Sequence, residues 1–145
     1  MKIRRARPGD RDAIREIYTS AAGSHAGLDA ARRDQLVEAG ALLVAEDQGR
    51  VIGFGSIEVS AGEHVRWLYV LPGRQKGGVG SALLNRLEQI GWEAGLKSIR
   101  LHAAPAAAGF YRRNGYEEVM EAARVGHDHD GVEMVKERER EKGRA

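Results

Sequence analysis

The 145-residue sequence predicts an α+β fold, and three stretches carry that expectation. Residues 41–71 hold three apolar runs, "ALLVAED", "VIGFGSIEV" and "HVRWLYVL", separated by compact turns at "QGR" and "SAGE", which is the pattern of an antiparallel meander. From Gly78 onward Val79, Leu83, Leu84, Leu87 and Ile90 recur at intervals of three and four, marking one amphipathic helix that ends near Gly95. Further on, "YEEVMEAARV" and "GVEMVKE" flank the polar "GHDHDG" as a closing hairpin. Strands joined by turns, with helices set apart from them, describe an α+β domain.

The remaining elements fit around these three. "KIRRAR" alternates as a short first strand, and "PGDRDAIREIYTSA" opens with Pro and Asp before Ile14, Ile17 and Tyr18 at helical spacing. "DAARRDQLVEAG" reads as a second helix closed by Gly40, after the loose connector "AGSHAGL". Beyond the central helix, "SIRLHA" reads as a strand and "AAAGFYRRNG" as a short helix closed by Gly115.

Length and composition predict one domain over residues 1–137, followed by a charged tail at 138–145. Hydrophobic and charged contents of 42% and 30% are those of a globular chain, and no apolar run approaches the ~20 residues of a membrane span. The N-terminal "MKIRRARPGD" lacks the apolar stretch of a secretory signal, so the cytoplasm is the expected compartment. The absence of cysteine excludes disulfides, thiolate metal sites and a cysteine nucleophile. A net charge of +2 is too small to predict nucleic-acid binding, and the final ten residues, with five basic and three acidic side chains, account for the excess.

The chemistry is concentrated in "VLPGRQKGGVGSALL", residues 70–84. Backbone with little side-chain bulk lets a ligand approach closely, and consecutive amides at a helix N-terminus suit an anionic phosphate. "QKGGVGS" fits that description and adds the positive charge of Lys76, although two adjacent glycines also simply make a tight turn. Two familiar phosphate loops are excluded by spelling. The Gly-Lys-Ser/Thr ending of a P-loop is absent, and Leu83 stands where a dinucleotide fingerprint needs its third glycine.

"QKGGVG" does resemble another signature, the Q/R-x-x-G-x-G/A segment of the GNAT N-acetyltransferases, and it follows "LYVLP" as in that family. Downstream, "FYRRNGY" at residues 110–116 is similar to the family's F-Y-x-x-x-G-F/Y segment, and the likeness extends over roughly residues 2–137. The resemblance implies a GNAT acyl-CoA N-acyltransferase fold, with a mixed, mostly antiparallel central sheet of about seven strands flanked by about four helices.

It also implies an acyltransferase that moves the acetyl group of acetyl-CoA to an amine by direct attack. In that family likeness the backbone of Gln75, Lys76, Gly77, Gly78, Val79, Gly80 and Ser81 holds the CoA pyrophosphate, with Phe110 beside it. The strand with Leu68, Tyr69 and Val70 leaves main-chain groups for the pantetheine arm, and the Leu68 N–H faces the thioester oxygen. Tyr111 is the expected general acid for the departing thiolate. Several relatives carry a glutamate base at the position of His64, and strand alternation sets His64, Arg66, Leu68 and Val70 on one face; Glu58 and Glu63 are the competing bases. A second departure is Ala106, where many relatives carry an asparagine that assists the cofactor arm.

Family comparison puts acceptor contacts in "AAGSHAGL" and "GHDHDG", so His25, Asp128 and Asp130 are the expected acceptor-binding residues, though both stretches also read as ordinary polar turns. His127 and His129 alternate as a metal pair does but lack a further clear ligand, and no metal is expected. The expected partners are acetyl-CoA and an amine acceptor, a small molecule before a protein amino group, and a homodimer is compatible with the family. The alternative is a non-catalytic acyl-CoA-binding or sensor module.

Overall fold

In the computed structural model the described residues are 1–22, 28–119 and 131–139. Four strands form one sheet in the order β1 (Lys2–Arg5), β2 (Leu42–Asp47), β3 (Arg50–Ser56) and β4 (Leu68–Val70), all antiparallel. Gln48 and Gly49 connect β2 to β3 with φ of 50° and 79°, the paired left-handed conformations of a tight hairpin turn. A second sheet has the order β5 (Ser98–Ala103), β7 (Val132–Glu137), β6 (Glu117–Glu118), so the last strand inserts between the two before it. The described residues form seven strands, in line with the expected number of about seven, and a parallel bridge from Val65 to Leu101 joins the sheets. At the end of the ladder the amide of Arg138, the first residue of the expected tail, donates to Lys97 O at 2.8 Å.

Among the described residues three α-helices pack on the first sheet, α1 (Arg11–Ala22), α2 (Ala30–Glu38) and α3 (Val79–Glu93), and a fourth, the short α4 (Ala108–Arg113), sets Phe110 against Gly80 at the start of α3. The apolar stripe foreseen for α3 buries Leu83, Leu84 and Leu87 completely, each contributing about 1.5–3 kcal/mol of transfer free energy. On the opposite face Ile14 and Ile17 of α1 and Leu36 of α2 meet Phe54 and Trp67. Strand β2 therefore has core on both sides. Leu43 and Ala45 face α3 while Leu42 and Val44 face α1, which is why "ALLVA" is continuously apolar instead of alternating. Close packing on α3 dictates the glycines of "IGFGS": a Cβ at Gly53 would lie 3.1 Å from Leu83 Cδ1, and one at Gly55 only 2.8 Å from Leu87 Cδ1.

One expected strand is shorter than its sequence. "HVRWLYVL" reads as eight strand residues, but only Leu68–Val70 pair regularly with β3. Ahead of them Ser56 intervenes: its Oγ accepts the Trp67 amide at 3.3 Å while its own amide donates to Trp67 O at 2.9 Å. Val65 packs in the same core cluster as Leu68 and Val70 while Trp67, two residues on, packs with Phe54 in the other, so the alternation that would set His64 on one face with Leu68 and Val70 does not run through. The break turns the chain away from β5 beyond Val65, and the two sheets splay apart there.

Candidate active site

Helix α3 begins at the mouth of this splay. Its N-cap, Gly78, has φ 79°, a conformation that costs a side-chain-bearing residue about 1–2 kcal/mol. Gly80 is small for a different reason, since a Cβ there would lie 3.2 Å from Phe110 Cζ. At Gly77 a Cβ would meet nothing within 4 Å, so the open space belongs to whatever approaches from outside. The Gln75 side chain ties the loop down by donating from Nε2 to Val70 O at 3.1 Å.

These residues edge a cavity of about 540 Å³. Leu68, Val70, Gln75, Lys76, Gly77, Gly78, Gly80, Ser81, Phe110 and Tyr111 all line it, which brings together most of the residues expected from the sequence. Val79 instead turns into the core, 5% exposed. Tyr69 also turns away: it pairs with Phe54 across the ladder and stacks edge-on against Tyr18 of α1 at 5.3 Å. Its main-chain groups belong to β3, because Trp67 and Leu71 on either side already bond to that strand and antiparallel ladders alternate. The same alternation directs the Leu68 and Val70 main chain into the splay.

Two lining residues were not foreseen, Ala107 and Arg113. Ala106, the departure noted above, lies in the 3-10 turn of residues 105–107 and is not among the lining residues. Arg113 stands one helical turn after Phe110, so the spacing in "FYRR" contained the signal. With Lys76 it gives the cavity two cations and no carboxylate among the described residues, a setting that favours a polyanion.

Tyr111 packs its ring edge-on between Phe110 at 5.0 Å and Tyr116 at 5.7 Å. Burial, followed by the fields of Tyr69 and Glu63, pushes its phenol up to about 12, so it keeps its proton at neutral pH.

The three expected bases are held in different ways. His64 is buried, and its Nδ1 accepts the Arg100 amide at 2.9 Å. Burial and then the Arg100 charge lower its pKa, which favours the neutral ring. In that neutral ring the Nδ1 lone pair is engaged and Nε2 carries the hydrogen, so neither nitrogen is free to take a proton. Glu58 is gripped by Arg32 Nη1 at 2.6 Å, lies 3.4 Å from Arg66 Nε, and lines a separate groove near Arg5 and Ala94. Glu63 accepts the His102 amide at 3.2 Å from the connector leading to β4, and its field reaches both Tyr69 and Tyr111. Thus the Glu63 and His64 side chains take the amides of His102 and Arg100 beside the last backbone bonds between the two strands, in which the His64 and Val65 amides donate to Arg100 O at 2.8 and 3.3 Å. The expected acceptor residues His25, Asp128 and Asp130 lie outside the described residues.

Comparison with known proteins decides the family. The model of the acetyltransferase (GNAT) domain matches residues 38–118, more than half of the chain. The chain belongs to the GNAT acetyltransferase family. Its matched span runs from the end of α2 to β6 and contains the signature loop, the splay and Tyr111. Among solved GNAT structures, the ribosomal-protein-alanine N-acetyltransferase of Brucella melitensis is 25% identical, with 94% of this chain and 99% of that one covered at TM-score 0.74. YncA of Salmonella typhimurium, solved with its cofactor acetyl-CoA, is also 25% identical, covering 97% and 95% at TM-score 0.74. The PaiA N-acetyltransferase of Thermoplasma acidophilum, in complex with coenzyme A, shares the fold at 19% identity and TM-score 0.71, covering 94% and 98%. No curated protein sequence matches the chain. Among the described residues no helix is long and apolar enough to cross a membrane.

Proposed function

We propose that this GNAT acetyltransferase carries the acetyl group of acetyl-CoA to a small primary amine by direct attack. The observation that carries the proposal is the single cavity in which a bare helix N-terminus, the free edge of β4 and the Tyr111 phenol meet. Amides of residues 75–81 hold the pyrophosphate, and Lys76 and Arg113 add charge around it. Leu68 and the Val70 N–H offer main-chain groups to the pantetheine arm as a neighbouring strand does, and the Leu68 N–H faces the oxygen on which charge develops.

Tyr111 gives its proton to the departing thiolate. A phenol held at about 12 is fully protonated when the thiolate leaves, and transfer is driven late, as the basic sulfur separates. Glu63 takes the proton from the incoming ammonium. It is favoured over His64, whose acceptor nitrogen is engaged, and over Glu58, which two arginines hold at another groove.

Intact-protein mass spectrometry tests direct attack. After mixing with acetyl-CoA and a primary amine, an unmodified chain and an acetylated amine are expected. An acetyl group retained on the chain as a turnover intermediate overturns the proposal.

A further inference from the structure

The carboxylate proposed as base has a neighbour that leads out of the site. Glu63 Oε2 lies 3.6 Å from Nδ1 of His102, the residue whose amide it already accepts. The Glu63 side chain is 31% exposed and that of His102 45%, so the pair steps from the splay toward solvent. A base that takes a proton in every turnover must shed it before the next, and a neighbouring imidazole open to water provides the route.

We propose that His102 relays to solvent the proton that Glu63 takes from the acceptor ammonium. This rests on the reading of Glu63 as base. One N–H bond of the ammonium breaks as an O–H bond forms on Glu63; that proton moves to His102 Nδ1, and the resulting imidazolium yields a proton to water, restoring the carboxylate and a neutral ring. No electrons are gained or lost.

Three charged groups near His102 among the described residues suit the task. Glu63 faces it from the β3–β4 connector, Arg100 lies two residues away on the same side of β5, and Glu133 is its cross-strand neighbour on β7. Arg100 Nη1 pairs with Glu133 Oε2 at 3.4 Å, so one of the two carboxylates is already matched by an arginine. Because Glu63 is anchored by the His102 amide and not only by its ring, substitution of the side chain leaves that anchor in place.

The test compares His102→Asn, His102→Gln and Glu63→Gln in the full chain, with acetyl-CoA and a primary amine as substrates. For both His102 variants kcat is expected to fall on the order of 10-fold, short of the about 10²-fold loss expected without the base, with KM for acetyl-CoA unchanged. Added imidazole is expected to restore their rate but not that of Glu63→Gln. His102 variants with wild-type kcat, or with a loss that imidazole does not repair, overturn the relay while leaving Glu63 as base. A Glu63→Gln enzyme with wild-type kcat overturns the base reading and the relay with it.

Discussion

His64 Nδ1 accepts the main-chain amide of Arg100 at 2.9 Å, closing by a side chain the point at which β4 and β5 part. The bond requires a neutral ring, and the folded pKa is lowered by burial and by Arg100. Folding therefore excludes protons from His64. The stabilisation is complete above the unfolded value of about 6.5 and is lost as pH falls from there through the lowered folded value. Melting temperature measured from pH 7.5 down to 5 should drop more steeply for the wild type than for His64→Asn, whose side-chain oxygen can accept the same amide without titrating. Parallel curves would remove His64 from this role.

Tyr111→Phe should lower kcat about 10²-fold while KM for acetyl-CoA stays near the wild-type value. The ring packing against Phe110 and Tyr116 survives, so stability changes little. Because the phenol is held at about 12, its ionisation should produce no alkaline loss of activity in the wild type below about pH 10. Steady-state kinetics over pH 6–10 for the two proteins checks both statements.

Gly77 and Gly78 should fail differently when changed to alanine. At Gly77 there is space for a methyl group and no left-handed φ, so folding is unaffected and CoA affinity falls where backbone must meet phosphate. At Gly78 the left-handed φ adds a stability loss of about 1–2 kcal/mol to the weakened binding. Calorimetric titration with CoA beside thermal unfolding separates the two effects.

The loop, the helix it opens and the meander were legible because each rests on local signals: glycine spacing, a 3.6-residue period and turns. Arg113 was not foreseen, although it stands one helical turn from Phe110, because the phase of a helix as short as α4 sets which residues share its cavity face. The break in β4 was not, because "HVRWLYVL" is apolar at suitable strand positions and the interruption comes from Ser56 Oγ, eleven residues earlier. His64 posed the same problem in sharper form. Its partner amide is 36 residues away, and no pattern around residue 64 announces that the imidazole is a tie between strands.

Glu88 of α3, 4% exposed, receives hydrogen bonds from Tyr116 Oη at 2.9 Å and Lys136 Nζ at 3.0 Å behind the active site. Lys136→Met leaves a buried carboxylate without its cation and should cost about 3–5 kcal/mol. The double variant with Glu88→Leu should recover much of that loss, since desolvation of both charges is then avoided. Chemical denaturation of the single and double variants measures the difference.

The central claim is that this cavity spends acetyl-CoA on an amine. Initial rates of thiol release from acetyl-CoA, across a panel of small primary amines, test it most directly. Release that saturates with at least one amine and is lost with Tyr111→Phe is the predicted result. Tight CoA binding with no amine-dependent release anywhere in the panel would contradict the claim and leave a binding module in its place.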